Sequence, residues 1–157
     1  MPSAYEQLLE RYQEVHAVRS VVQLLECDLQ TFMPPQGAGY RSTQIGVVAA
    51  VAHQKLVSPE LAELLQQAEV QSDRSDPAVA TNLREIRRDR DRAAKVPTAL
   101  VQQIASATAL AVEAWKVARA QSDFAHLAPH LEHLLDLERQ VAEHLGPPGD
   151  DHEVVAA

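Results

Sequence analysis

With one cysteine, five glycines and six aromatic residues (two Phe, one Trp, three Tyr) in 157, the sequence excludes several fold classes. Cys27 has no second thiol, so there is no internal disulfide and no cysteine-based zinc knuckle. Aromatics make up only 4% of the chain while 46% of it is hydrophobic, so the interior must be built from Leu, Val and Ala, a composition that favours helices over strands. Positive charge is scarce too. Fourteen Lys and Arg stand against 22 Asp and Glu, a formal charge of −8, which repels a phosphate backbone and argues against nucleic acid as a partner. No apolar run approaches the roughly 18 residues that span a bilayer. MPSAYEQLLE also lacks the basic-then-apolar layout of a signal peptide, so a cytoplasmic protein without membrane contact is expected. The chain has no glycine-rich phosphate loop, no G-x-S-x-G and no carboxylate pair brought together by spacing. No catalytic residue is assigned.

Helical periodicity is plentiful. Ser3 and Glu6 form a capping box, after which Tyr5, Leu8, Tyr12 and Val15, then Val18, Val22, Leu25, Leu29 and Phe32, recur at steps of three and four with a change of phase after Val15. This predicts a first helix of about 40 Å. Pro34 and Pro35 end it, and the turn Met33-Pro34-Pro35 with Gly37 reverses the chain. A second helix is expected from Tyr40 to Leu56, with Ile45, Val48, Ala49, Ala52 and Leu56 inward. Ser58-Pro59 starts a third helix through Val70, and Asp76-Pro77 a fourth carrying Val79, Leu83, Ile86 and Ala93 inward. Val96-Pro97 opens a fifth, to Gln121, with a seam of Leu100, Ile104, Ala107, Ala111, Trp115 and Ala118. Asp123 caps a sixth, interrupted at Pro129 and resumed through Leu131, Leu134, Val141 and Leu145 to Gly146. The expectation is one all-α domain over 1–146 with a single core, an antiparallel bundle of about six helices, followed by a flexible acidic tail over 147–157.

Three groups of side chains invite a chemical reading. His126, His130 and His133, with His144 near the same line, fall on one helical stripe, and converging imidazoles can bind a transition metal. The same stripe borders Leu131, Leu134 and Val141, a core boundary where histidine needs no metal, and the run does not match H-E-x-x-H. Arg84, Arg87, Arg88 and Arg92 form a possible anion patch. Interleaved acids at Glu85–Arg88, Asp89–Arg92 and Asp91–Lys95 favour local pairing and a bundle-bridging charged face. Cys27 sits between Glu26 and Asp28, with none of the positive charge that activates a thiol, and points away from the Val18, Val22, Leu25, Leu29 stripe.

Four segments in order carry a resemblance: DLQTFMPPQGAGYRSTQ; AHQKL before VSPEL; NLREIRRDRDRAAKVP followed by LV; and SDFAHLAPHLEHLLDL. Together they resemble the N-terminal portion of the carboxypeptidase Taq family of thermostable, zinc-dependent metallocarboxypeptidases, over about residues 5 to 145. The resemblance implies an almost wholly helical fold in a chain about three times as long. It also implies that the zinc-binding H-E-x-x-H, a downstream glutamate ligand and the groups that hold the substrate's terminal carboxylate come after the matched stretch. None of those motifs occurs in these 157 residues, so no catalytic or metal-binding residue is transferred. At Cys27 family members usually carry tryptophan, which suggests that a large partner surface is missing there. The resemblance further implies that this helical region walls or covers the substrate groove in longer relatives.

The expected function is that of a carboxypeptidase-related helical protein without peptidase activity of its own, acting through a protein partner or as a homo-oligomer and holding no cofactor. Zinc enters only if a separate catalytic part completes the fold. The alternative is an N-terminal fragment or split subunit of a zinc carboxypeptidase that removes C-terminal amino acids from peptides.

Overall fold

A computed structural model describes residues 2–73 and 75–146. Six α-helices and one 3₁₀ turn account for nearly all of them: α1 (Ala4–Thr31), the 3₁₀ turn (Pro35–Gly37), α2 (Ala38–Leu56), α3 (Pro59–Gln71), α4 (Pro77–Ala94), α5 (Thr98–Gln121) and α6 (Phe124–Leu145). No strand occurs among the described residues. The tail expected over 147–157 lies outside them.

Most helix starts follow from local chemistry. Ser3 Oγ accepts the Glu6 N–H at 3.2 Å while the Glu6 carboxylate accepts the Ser3 N–H at 2.7 Å, closing the capping box. The Glu6 carboxyl is held below its ordinary range by these bonds to Ser3. Ser58 Oγ accepts from the Leu61 N–H and Asp76 Oδ1 from the Ala78 N–H, each just before a proline at the first helical position. Two expectations fail. Asp123 makes no side-chain cap; instead Ser122 adopts the left-handed conformation, φ 53°, and the Asp123 N–H donates to the Ala118 carbonyl. Pro129 does not interrupt α6, which runs unbroken through it. The N–H it lacks would have met the carbonyl of Ala125, and that residue is exposed, so water can satisfy the oxygen.

The turn between α1 and α2 is built by Met33, Pro34, Pro35 and Gly37. The N–H groups of Phe32 and Met33 both donate to the Asp28 carbonyl, and Gly37 N–H donates to the Pro34 carbonyl at 2.8 Å. Gly37 has an ordinary φ of −79°, so glycine serves here for space rather than for backbone freedom: a Cβ would lie 3.1 Å from Met33 Cγ.

The helices lie side by side rather than around one centre. In order across the molecule, α3 and α4 pack on the N-terminal half of α1, α1 on α2, α2 on α5, and α5 on α6. The expected single core is therefore three. Ala4, Leu8, Val15, Leu56, Leu61, Leu65, Ala68, Leu83 and Ile86 form the largest; Leu29, Ile45 and Ala109 the second; Leu100, Ala107 and Leu137 the third. The change of phase after Val15 is where α1 passes from the first cluster to the second, in which Val22 and Leu25 accompany Leu29. Three expected core residues are exposed: Phe32 on the turn, Trp115 on the side of α5 away from its neighbours, and Leu131 on the outer side of α6. Leu137 and Ala114 are buried in their place because α6 packs chiefly on α5.

The tightest contact is between α2 and α5. A Cβ added at Gly46 would lie 2.1 Å from Ser106 Oγ and 2.9 Å from the Gln102 carbonyl oxygen, and Ser106 Oγ donates to the Ser42 carbonyl at 3.0 Å. Buried alanines at 109, 111, 114 and 118 let α5 approach its neighbours closely along its length. On the other side of the molecule, Tyr12 of α1 donates its phenol to Asp89 Oδ2 of α4 at 3.0 Å, and Arg19 donates to the same oxygen at 3.1 Å. Burial, then the bond to Asp89, pushes the Tyr12 phenol up to about 12.

Two predictions follow from these contacts. Gly46→Ala should lower the urea midpoint by an amount equivalent to about 1–3 kcal/mol, despite alanine's better helix propensity, because the Gln102 backbone has to move. Gly39→Ala, where a Cβ meets nothing within 4 Å, should be neutral or stabilising by up to about 1 kcal/mol. A midpoint unchanged by Gly46→Ala would refute the contact. For Tyr12, the raised folded value means its contribution is whole below the ordinary phenol value of 10.0 and is lost as pH rises through about 12. Tyr12→Phe should cost about 1–2 kcal/mol at neutral pH and flatten the fall in stability across that window, read by denaturation at stepped alkaline pH.

Candidate functional site

Two grooves flank α5. One, of about 450 Å³, lies between α5 and α6 and is walled by Gln102, Gln103, Ser106 and Leu110 with His130 and His133 opposite. His130 is half-buried and His133 exposed. His126 and His144 are exposed and do not line the groove. The stripe predicted from the sequence is real as a helical register. Its rings do not gather at one point, because His126 and His133 are seven residues apart on one continuous helix, about 10.5 Å in rise, whereas zinc–nitrogen bonds are about 2 Å. From α5 the groove receives amides and a hydroxyl, not carboxylates or thiols. Among the described residues no group of three or more His, Cys, Asp or Glu is placed to hold a metal ion. The zinc that the family resemblance implies therefore has no fitting donor set in this part of the fold.

The second groove, about 410 Å³, lies between the end of α4, the start of α5 and the end of α6. Val96, Val101, Ile104, Val141 and Leu145 form its walls, with Asp89, Arg92 and Glu138 around it. His53 reaches its floor from α2. This ring is 8% exposed and bridges two elements: Nε2 donates to the Ala93 carbonyl at 3.0 Å, and Nδ1 is hydrogen-bonded to Thr98 Oγ1 at 2.9 Å. A carbonyl oxygen can only accept, so Nε2 carries a proton while its bond to Ala93 persists, and the Thr98 hydroxyl can meet Nδ1 as donor or acceptor. His53 thus ties the end of α4 to the first turn of α5 across the Val96-Pro97 break. Sequence reasoning left it out, although its position three residues before Leu56, beside Ala52 on the inward face, was a usable signal.

The four arginines of the predicted anion patch are mostly engaged. Arg84 and Arg88 both meet Glu85, at 3.1 and 2.8 Å, and Arg87 forms a two-pronged pair with Glu69 of α3 and reaches Asp91 at 3.8 Å. The Glu69 partner raises the Arg87 guanidinium's affinity for its proton. Arg92 is exposed at the second groove and makes no ion pair among the described residues. Two of the three expected pairings differ. Asp89 turns to Arg19 and Tyr12 on α1 rather than to Arg92, because α1 packs alongside, and Asp91 meets Arg87 and Arg90 on α4 itself rather than Lys95. Cys27 is exposed near the end of α1.

Along the α1–α2 pair the charges act as a ruler. Glu14–Lys55 at 3.0 Å and Asp28–Arg41 at 2.5 Å join residues fourteen apart on both helices, so a single antiparallel register runs the length of the contact and sets Val21 level with Val48.

This arrangement of helices is shared with known enzymes. The chain is 33% identical to thermostable carboxypeptidase 1 of Thermus thermophilus over 156 residues, covering 94% of this chain and 30% of that protein. It is 28% identical to the protein of the same name from Pyrococcus furiosus, covering 89% and 28%. Among solved structures, the Pyrococcus furiosus carboxypeptidase superposes with a TM-score of 0.69 at 26% identity, over 95% of this chain and 30% of the other. Trypanosoma cruzi metallocarboxypeptidase 1 superposes with 0.67 at 25%, over 93% and 29%. The BsuCP crystal structure reaches 0.86 over 92% of this chain at 19% identity, a likeness of fold. The chain thus spans about 30% of the length of the relatives it matches. The family model for carboxypeptidase Taq (M32) metallopeptidases matches residues 7–155, nearly the whole chain, and the chain belongs to that family.

Proposed function

We propose that this chain is a helical, non-hydrolytic component of the carboxypeptidase Taq fold, which does not cleave peptides by itself and acts through contacts with protein. The observation that carries this reading is the extent of the match: nearly all of the chain corresponds to about 30% of relatives that are named carboxypeptidases. Two features of the structure support it. Neither groove beside α5 assembles the donors that a Lewis-acid ion needs. Large apolar side chains also stand exposed on several helices, among them Leu24, Val47, Val70 and Leu135, which suits helices that rest against other protein.

The same extent of match favours a second reading, in which the helices complete a zinc-dependent carboxypeptidase supplied by a separate polypeptide. In that case they would wall the groove in which a peptide's C-terminal residue is removed. Cys27, exposed where longer family members usually carry tryptophan, marks one place such a body would press.

With added zinc or cobalt, the isolated chain should release no C-terminal amino acid from short peptides in a chromatographic assay. Robust turnover by this chain alone would overturn the first reading. Turnover that arises only on mixing with a polypeptide carrying H-E-x-x-H would select the second. In the folded protein Cys27 should react with a thiol reagent about as fast as in the denatured chain, and protection until denaturation would show that its surroundings are already filled.

A further inference from the structure

The aliphatic walls of the second groove are only half covered. Val96, Val101, Ile104, Val141 and Leu145 are each half-buried, so the described chain packs on one side of every one and leaves the other open. The volume of about 410 Å³ falls within the roughly 300–1,000 Å³ usual for small-molecule sites, which are likewise apolar with a few polar groups at fixed places. The walls are also set in advance. His53 fastens the end of α4 to the first turn of α5 through Ala93 and Thr98, and Val96 and Leu100 pack with Leu137 and Val141 of α6, so the fold itself fixes the width of the slot.

The charges around this slot differ in sign and in how far they are engaged. Asp89 is already matched, by Arg19 at 3.1 Å and by the Tyr12 phenol at 3.0 Å. Arg92, from α4, and Glu138, from α6, are both exposed at the groove and form no ion pair among the described residues, either with each other or with a third group. Arg92 is an exception on its helix. Arg84, Arg87, Arg88 and Arg90 of α4 each meet a carboxylate. One guanidinium and one carboxylate are thus offered from two different helices to an aliphatic slot, with Val101 and Ile104 of α5 between them.

We infer that the groove between α4, α5 and α6 binds a free aliphatic α-amino acid such as leucine, whether or not the chain takes part in peptide hydrolysis. The amino acid's carboxylate pairs with Arg92, whose planar fork of N–H donors matches two oxygens at once. Its ammonium pairs with Glu138, and its branched side chain lies on Val101, Ile104 and Val141. Ligands that carry only part of this pattern fit less well. An aliphatic acid satisfies Arg92 but brings a second negative charge toward Glu138, and an aliphatic amine satisfies Glu138 but brings a second positive charge toward Arg92. Glycine carries both charges and leaves the walls in water. Only a molecule with both charges and a branched apolar body answers all three parts of the groove.

Isothermal titration calorimetry of the full chain with leucine at neutral pH should show saturable binding at one site, in the millimolar range or tighter, and leucine should raise the thermal unfolding midpoint with concentration. The probes 4-methylpentanoate, which lacks the ammonium, leucinamide, which lacks the carboxylate, and glycine, which lacks the apolar body, should each bind at least about fivefold more weakly. Arg92→Gln and Glu138→Gln alter exposed side chains and should leave the circular dichroism spectrum unchanged while each weakens leucine by a similar factor. Arg92→Gln should also erase the preference for leucine over leucinamide, and Glu138→Gln the preference for leucine over 4-methylpentanoate. Arg84→Gln, exposed on the same helix but away from the groove, should change nothing. No saturable leucine binding, glycine that binds as tightly as leucine, or a leucine affinity that ignores both groove variants would each overturn the inference. Binding is read here without a peptide substrate, so the wider functional reading stands or falls separately.

Discussion

Backbone-to-backbone approach of α2 and α5 at Gly46 is the constraint on which the rest of the arrangement depends. With no Cβ at that position, the Gln102 carbonyl and Ser106 hydroxyl occupy space that any other residue would claim. Because α2 lies so close, α5 can use alanine along its length, and its far face becomes the platform for α6. The His53 bonds to Ala93 and Thr98 are drawn across the same narrow gap and hold the α4–α5 break in place. A wider α2–α5 spacing would part the His53 ring from Thr98 and the Ser106 hydroxyl from the Ser42 carbonyl, each at a cost of about 1–3 kcal/mol.

Charge plays a different part from the one its abundance suggests. In a chain with more acid than base, most of the arginines in NLREIRRDRDRAAK face carboxylates, one of which, Glu69, lies on α3, while Asp89 of the same stretch meets Arg19 of α1. Such half-exposed pairs add little net stability. They do select register: the Glu14–Lys55 and Asp28–Arg41 pairs admit one antiparallel alignment of α1 and α2, and Arg87–Glu69 fixes α4 against α3. Helices built mainly from Leu, Val and Ala have interchangeable apolar stripes, so specificity of this kind has to come from polar groups.

The side-by-side layout also ties the fold to the family. Helices that enclosed a single core would turn most of their large apolar side chains toward it. Here three small cores leave apolar side chains on the open flanks and at one end, which is the form expected of a portion of a larger helical enzyme fold or of a chain that meets other protein.

Helix existence, order and most boundaries could be read from the residues alone, because caps and prolines act within a few residues: Ser3 with Glu6, Ser58-Pro59, Asp76-Pro77 and Val96-Pro97 all stand where expected. So could family membership, since four ordered motifs survive in linear sequence. What the residues left open was which face of each helix would find a neighbour. Periodicity identifies an apolar stripe without saying what covers it, so it points Trp115, Leu131 and Phe32 inward and passes over Gly46, Ser42, His53 and Leu137. The histidine stripe shows the same limit: spacing put the rings in line, but only distance along the helix and the side chains of α5 opposite decided that no metal-holding cluster forms among the described residues. Local signals are decided by atoms one turn apart, whereas faces and sites are decided by elements tens of residues away, and that information exists only once the chain is folded.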